Sequence, residues 1–186
     1  PIFLSSNLEF MSTPGKDPKT MDRMHDTNAD IKALNYRHIF SITAELGPSL
    51  DAGEAALGRR VLNAVSIGTF EGPRLRGDIN PGTGDWMLVR RDSTMVVDAR
   101  IVLKTHDGAI IHMTYGGRIV IPESVLGEAR DPDKRQNIPL SRYYFRTTPV
   151  FETGAPEYAW LNNIVCVGSG RLLKGRSVAY EVFQIL

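Results

Sequence analysis

From Tyr36 to its last residue this chain repeats short runs rich in β-branched and aromatic residues, each closed by Gly, Pro, Asn or Asp. Such runs cannot sustain long helices, and their spacing is that of an all-β sandwich or barrel. The runs cover 36–46, 59–70, 72–76, 86–90, 95–105, 109–120, 142–152, 161–173 and 176–186. They predict an antiparallel meander closed into a small β-barrel, with little helix. Between Pro122 and Pro139 lies the one candidate for a long loop or a short helix. His106-Asp107-Gly108 joins two runs, and Asp-Gly suits the positive backbone angles of a tight hairpin turn, so those two strands are expected to be neighbours.

A length of 186 residues accommodates one core, assigned here to 34–186 as a single barrel domain. Residues 1–10 precede Met11 and read as vector-derived. Residues 11–33, rich in Pro, Gly, Lys, Asp and Asn without an apolar period, read as a flexible extension. The 22 basic and 21 acidic residues leave a net charge of +1, which gives no electrostatic case for nucleic acid. No stretch approaches the roughly 18 apolar residues of a membrane-spanning helix. Cys166 is the single cysteine, so an intramolecular disulfide is excluded and a cytoplasmic setting is expected. Its apolar neighbours, Val165 and Val167, mark it as a core residue rather than a nucleophile.

Strand alternation carries the chemical information. In the run 95–105, Val96, Asp98, Arg100 and Val102 share one face, and Val97, Ala99, Ile101 and Leu103 share the other. The next run sets His112, Thr114 and Arg118 opposite Ile111, Met113, Tyr115 and Ile119. Two placements fit this pattern. Either the apolar face fills the core while Asp98, Arg100 and His112 face water, or Asp98 and Arg100 point into the barrel and mark a ligand cavity.

Standard catalytic signatures are missing: there is no Gly-x-Ser-x-Gly, phosphate-binding loop, His-Glu-x-x-His or dinucleotide fingerprint. The four histidines, His25, His38, His106 and His112, lack metal-ligand spacing, so no metal is expected. Gly68, Gly72, Gly77, Gly82 and Gly84 lie among prolines with no helix start after them, which favours bends and bulges over a phosphate cradle.

The motifs Gly72-Pro73-Arg74-Leu75-Arg76-Gly77, Gly82-Thr83-Gly84-Asp85-Trp86, Asp98-Ala99-Arg100, Thr105-His106-Asp107-Gly108-Ala109, Phe145-Arg146-Thr147, Phe151-Glu152-Thr153 and Tyr158-Ala159-Trp160-Leu161-Asn162 occur in this order. Over about 36–186 the chain thereby resembles the domain of unknown function family 3237, also called the UPF0311 proteins. That resemblance implies a lipocalin-like or calycin-like antiparallel barrel. It also singles out Asp85, Trp86, Asp98, Arg100, Arg146, Thr153, Trp160 and Asn162. His112-Met113-Thr114-Tyr115 departs from the family pattern, and His112 is accordingly a candidate specific to this chain.

Together these residues suit a small-molecule site, with an aromatic wall from Trp86 and Trp160 and a few directed polar groups. Asp98 or Asp85 would be the general base, and Arg100 or Arg146 an oxyanion or carboxylate clamp. Asn162 would orient the ligand, with Thr153 and His112 beside it. Addition or elimination next to a carbonyl, isomerisation, cyclisation, and lactone or ester hydrolysis all suit such a set, and none requires a cofactor. The alternatives are a non-catalytic binding protein and a dimeric scaffold. Exposed edge strands are compatible with a homodimer in any of these cases.

Overall fold

Alternating side chains need a sheet with one wet face and one dry face, and a closed sheet supplies the dry face without a second layer. A computed structural model of the chain describes residues 33–186. The expected vector segment 1–10 and the extension 11–33, apart from Ala33, lie outside the described residues. Ten strands follow in order: β1 (Tyr36–Leu46), β2 (Leu50–Ala55), β3 (Gly58–Glu71), β4 (Arg76–Ile79), β5 (Gly84–Val89), β6 (Met95–Thr105), β7 (Ile110–Val120), β8 (Tyr144–Glu152), β9 (Cys166–Leu172) and β10 (Ser177–Ile185). One α-helix, α1 (Glu123–Arg130), lies between β7 and β8, and a 3-10 segment, Pro156–Asn163, lies between β8 and β9.

The strands form one antiparallel sheet in the order β1-β10-β9-β8-β7-β6-β4-β3, and β1 also pairs with β3, which closes a barrel of 8 strand positions. β4 and β5 share one position. β4 bridges β3 and β6 through Arg76 to Ile79, and β5 bridges the same two strands further along. β2 pairs with β3 alone and projects as a ribbon.

The barrel has two different ends. At one end, α1 follows Pro122, places Glu123 in its first turn and Arg130 in its last, as the helix dipole favours, and buries Val125 and Ala129. It stops ahead of Pro132, which restricts the residue before it to extended backbone. At the other end Phe40 meets Phe70 and Phe151 at ring-centre distances of 5.8 and 5.9 Å. The Pro156–Asn163 segment crosses this end and buries Tyr158 and Leu161. The Tyr158 hydroxyl donates to Asp107 at 3.0 Å, tying the segment to the β6–β7 turn. That turn is the expected Asp-Gly hairpin, with Gly108 at φ +90°.

On β6 the buried residues are Val97, Ala99, Ile101, Leu103 and Thr105. The apolar face therefore fills the barrel, and the interior placement of Asp98 and Arg100 is overturned. Three local expectations also change. The run 72–76 is a turn closed by Gly72 N–H donating to the Leu75 carbonyl at 2.9 Å, and the strand begins only at Arg76. Residues 161–163 belong to the 3-10 segment, since Pro156 at its start fixes a helical φ. β2 has no β-branched residue and is not expected from its composition; it forms because β3 extends past its pairing with β1 and offers it a partner.

Gly170 of β9 lies under the Phe145 ring, and a Cβ there would stand 2.7 Å from the ring carbons. Gly170→Ala should lower the urea unfolding free energy by about 1–3 kcal/mol, the usual effect of overpacking a filled core. Equal urea midpoints for the two proteins would show that the Phe145 ring yields freely.

Candidate functional site

Below α1 the barrel is not filled. A cavity of about 440 Å³ runs inward from the helix end, a volume within the range of small-molecule sites. Its wall is chiefly aliphatic, from residues such as Ile42, Val65, Ile101 and Ile119, with the adaptable side chains of Met87 and Met95. Into this wall β5 delivers Asp85, β3 delivers Asn63, and β7 and β10 deliver Tyr115 and Tyr180.

Alternation explains each delivery. Asp85, Met87 and Val89 line the cavity, and Trp86 between them points outward. Asn63 is the cross-strand partner of Asp85, so the two side chains leave the sheet on the same face a few ångströms apart. The β5–β6 ladder opens between the Asp85–Ala99 and Leu88–Val96 pairs. There the Asp98 backbone N–H donates to Asp85 Oδ1 at 2.8 Å. Burial in the apolar barrel pushes the Asp85 carboxyl up to about 6, against this hydrogen bond, which pulls the other way.

Tyr115 and Tyr180 pack edge to face, 5.7 Å between ring centres, and Phe145 meets Tyr180 at 5.1 Å. Burial raises both phenols above their ordinary range, and the Asp85 charge adds to the effect in each. They are consequently held protonated beside a carboxyl that titrates near neutrality. Asn63 Oδ1 accepts the Ser49 hydroxyl at 2.6 Å. At the mouth stand Arg135 and Arg176. Arg135 Nη1 donates to the Gly175 carbonyl at 3.0 Å, and Arg176 reaches the Gly47 carbonyl and the Ser49 hydroxyl at 3.0 and 2.6 Å.

Of the residues singled out from the sequence, only Asp85 lines this cavity. Asp98 and Arg100 form a surface ion pair at 3.0 Å, with side chains 49% and 55% exposed, and Arg100 stacks 5.6 Å from the centre of the exposed Trp86 ring. Arg146 also leaves the outer face of β8, bonds its neighbour's carbonyl and lies over Tyr144. Trp160 stacks under Arg74 at 4.0 Å at the far end of the barrel. Thr153 and Asn162 exchange two hydrogen bonds, Thr153 N–H to Asn162 Oδ1 at 2.9 Å and Asn162 Nδ2 to the Thr153 carbonyl at 3.0 Å, which fasten the 3-10 segment to β8. With His112 they border a shallow outer groove, where His112 Nδ1 lies 3.5 Å from Glu152.

Two other groups invite a catalytic reading, and geometry argues against both. His38, Ser41 and Glu181 cluster on the outer face of β1 and β10. The Ser41 hydroxyl donates to the carboxylate at 2.6 Å and lies 3.5 Å from the imidazole, so the base does not address the nucleophile. Cys166 is buried, and desolvation pushes its thiol up to about 12, which keeps it protonated and inert. Among the described residues no group of three or more His, Cys, Asp or Glu is placed to hold a metal ion, and no helix is long and apolar enough to cross a membrane.

The matching family model, "Protein of unknown function (DUF3237)", spans residues 34–185, the whole barrel. The chain belongs to the DUF3237 family. A UPF0311 protein of Clostridium acetobutylicum is 34% identical over 148 residues, covering 75% of this chain and 89% of that one. The crystal structure of a conserved protein of unknown function from Rhodopseudomonas palustris superposes with a TM-score of 0.74 at 29% identity, covering 83% of this DUF3237 chain and 99% of that one. A β-barrel-like protein of Acinetobacter baumannii gives 0.70 at 30% identity, with 83% and 97% covered. An enzyme from Penicillium herquei shares the fold at 21% identity and a TM-score of 0.59, with 82% and 95% covered.

The raised Asp85 pKa has a definite sign in stability. A carboxyl at about 6 in the folded state, against an ordinary value of 3.8, favours folding fully below about pH 4, and that contribution is lost as pH rises through 6. Asp85→Asn should therefore be more stable than wild type at pH 8 by about 2–3 kcal/mol, with the difference fading toward about pH 4. Urea titrations across that window check it, and equal stability at pH 8 would mean that the carboxyl is fully hydrated. By contrast Arg100→Gln should change the unfolding free energy by less than about 1 kcal/mol at any pH, as expected for a solvent-screened pair.

Proposed function

We propose that the barrel interior binds a small, largely apolar metabolite bearing a carbonyl or aromatic group, and that Asp85 transfers a proton on it without a cofactor. The observation that carries this reading is the position of Asp85: a carboxyl pushed up to about 6 on the wall of a largely apolar cavity that two protonated phenols also line. A group poised near the working pH combines availability with driving force for proton transfer.

In this reading the Asp98 N–H holds one Asp85 oxygen, which aims the other at the ligand. The carboxylate accepts a proton from a carbon or hydroxyl of the substrate. Charge that develops on a carbonyl or phenolic oxygen is met by a Tyr115 or Tyr180 hydroxyl, a donor already in place and shielded from bulk water. Asn63, fixed through Ser49, offers a further polar contact next to Asp85. Isomerisation, cyclisation, and addition or elimination next to a carbonyl all follow from this base and these donors. A fold shared with an enzyme from Penicillium herquei is compatible with turnover. The aliphatic character of most of the wall favours the second reading, a binding protein that leaves its ligand unchanged.

A thermal-shift screen of small metabolites against wild type and Asp85→Asn separates the two, because a ligand of the native state raises the melting temperature. Hits should then be assayed for turnover between pH 5 and 8. With Asp85 as base, kcat/KM rises with pH through about 6 and then levels, as the group gains its charge. Asp85→Asn should abolish turnover while retaining binding, and Tyr115→Phe should lower the rate by about 10²-fold. Turnover undiminished in Asp85→Asn removes the carboxyl from the mechanism. Hits that bind but never change identify a carrier.

A further inference from the structure

The mouth of the cavity concentrates positive charge without an anion to match it. Arg135 and Arg176 both line it, and among the described residues neither forms an ion pair with a carboxylate. Nearby carboxylates are otherwise engaged: Asp131 pairs with Lys134, Asp133 with Lys174 and Glu128 with Arg142.

Arg135 is held as a receptor is held. The segment around it is laced to the β9–β10 turn by Gly175 N–H donating to the Pro132 carbonyl at 2.7 Å and by Arg135 Nη1 donating to the Gly175 carbonyl at 3.0 Å. The second of these bonds occupies one corner of the guanidinium. Its Nε is buried and has no hydrogen-bond partner, which costs stability. Burial and the adjacent Arg176 charge both lower the Arg135 pKa, so the site lacks an anion electrostatically as well as geometrically. Nη2 makes no hydrogen bond among the described residues, and a guanidinium with a free donor is a ready partner for a carboxylate.

We infer that the ligand of this barrel is a carboxylate, its anionic end held by Arg135 with Arg176 beside it, and its apolar body reaching down the cavity toward Asp85. The inference rests on the interior site proposed above and adds the chemical class of its ligand. Length follows from the strand. Tyr180 of β10 follows Arg176 by four residues, about 13 Å along the strand. A substrate therefore needs several bonds between its carboxylate and its reacting atom, as an aryl-alkanoic or medium-chain oxo acid has.

Isothermal titration with phenylhexanoate and its uncharged amide, phenylhexanamide, tests this on the full chain. Wild type should bind the acid at least about tenfold more tightly than the amide, the margin of a charge-assisted contact. Arg135→Met should erase that preference and leave amide affinity within about twofold, since only the guanidinium is lost. Arg135→Lys keeps the charge on a differently placed donor and should lower the preference less than Arg135→Met does, which retains a test should the Met variant fold poorly. Asp85→Asn should enlarge the preference, since that change removes a charge that repels the acid and not the amide. Equal affinity of wild type for acid and amide, or a preference that survives Arg135→Met, overturns the carboxylate assignment and leaves the cavity standing. Failure of wild type to bind either probe overturns the interior site and the carboxylate together.

Discussion

The pairing of β1 with two partners governs the rest of the molecule. β1 joins β10 along most of its length and β3 along Ser41 to Leu46, which turns an open sheet into a closed one. An open sheet of these strands would present its apolar face to water or need a second layer to cover it. Closure makes that face an interior and fixes, for every residue of every strand, whether it lies inside or out. The position of Asp85 and the exposure of Asp98 are consequences of this one topological fact.

Closure also explains why the interior is unequal along its length. At the end opposite α1, phenylalanines from β1, β3 and β8 meet and the 3-10 segment adds Tyr158 and Leu161, so large rings exclude water and ligand alike. At the α1 end the interior residues include smaller side chains such as Ala44, Val65 and Val178, and α1 contributes Ala129 where a larger residue would plug the opening. The cavity is thus a gradient of side-chain volume along the strands. Within it the dielectric is low enough to raise a carboxyl to about 6, because the aliphatic wall replaces most of its hydration and returns only the Asp98 N–H.

Most of the barrel is legible in the sequence because alternation is a local signal, and the runs 36–46 and 95–105 match β1 and β6 at both ends. The site is less legible, for identifiable reasons. On β6 the pattern shows two faces without saying which is inside, and the charged pair on the outer face attracts the functional reading. Asp85 carries a family-like motif but sits one residue outside the run 86–90, so its alternation with Trp86 is hidden. Tyr115 falls with the apolar face of β7, where it belongs, and its hydroxyl on a dry face is the signal that could have found the cavity. Arg135 and Arg176 are separated by forty residues of other elements, and nothing local in either loop announces that the Gly175 carbonyl will bring them together.

The two polar ends of the cavity have opposite charge, and that opposition acts on any elongated acid that enters. Suppose its carboxylate lies about 10 Å from Asp85 when held at the mouth. At an effective dielectric constant near 20 the repulsion between two full charges at that distance is then about 1.7 kcal/mol, and it rises to about 4 kcal/mol if the ligand reverses and brings the anions to 4 Å. Reversal also forfeits the proposed contact with Arg135. Orientation is therefore set by charge rather than by the aliphatic wall, which would accept the body of the ligand either way round. The same repulsion acts on Asp85: a bound anion raises its proton affinity further, so occupancy of the mouth shifts the carboxyl toward the protonated form that a proton donor requires. On the proposed function, a base that accepts a proton early in a reaction would then return it later to a different atom of the same ligand, and proton movement within one substrate is the chemistry that such a combination of Asp85, Tyr115 and Tyr180 would serve.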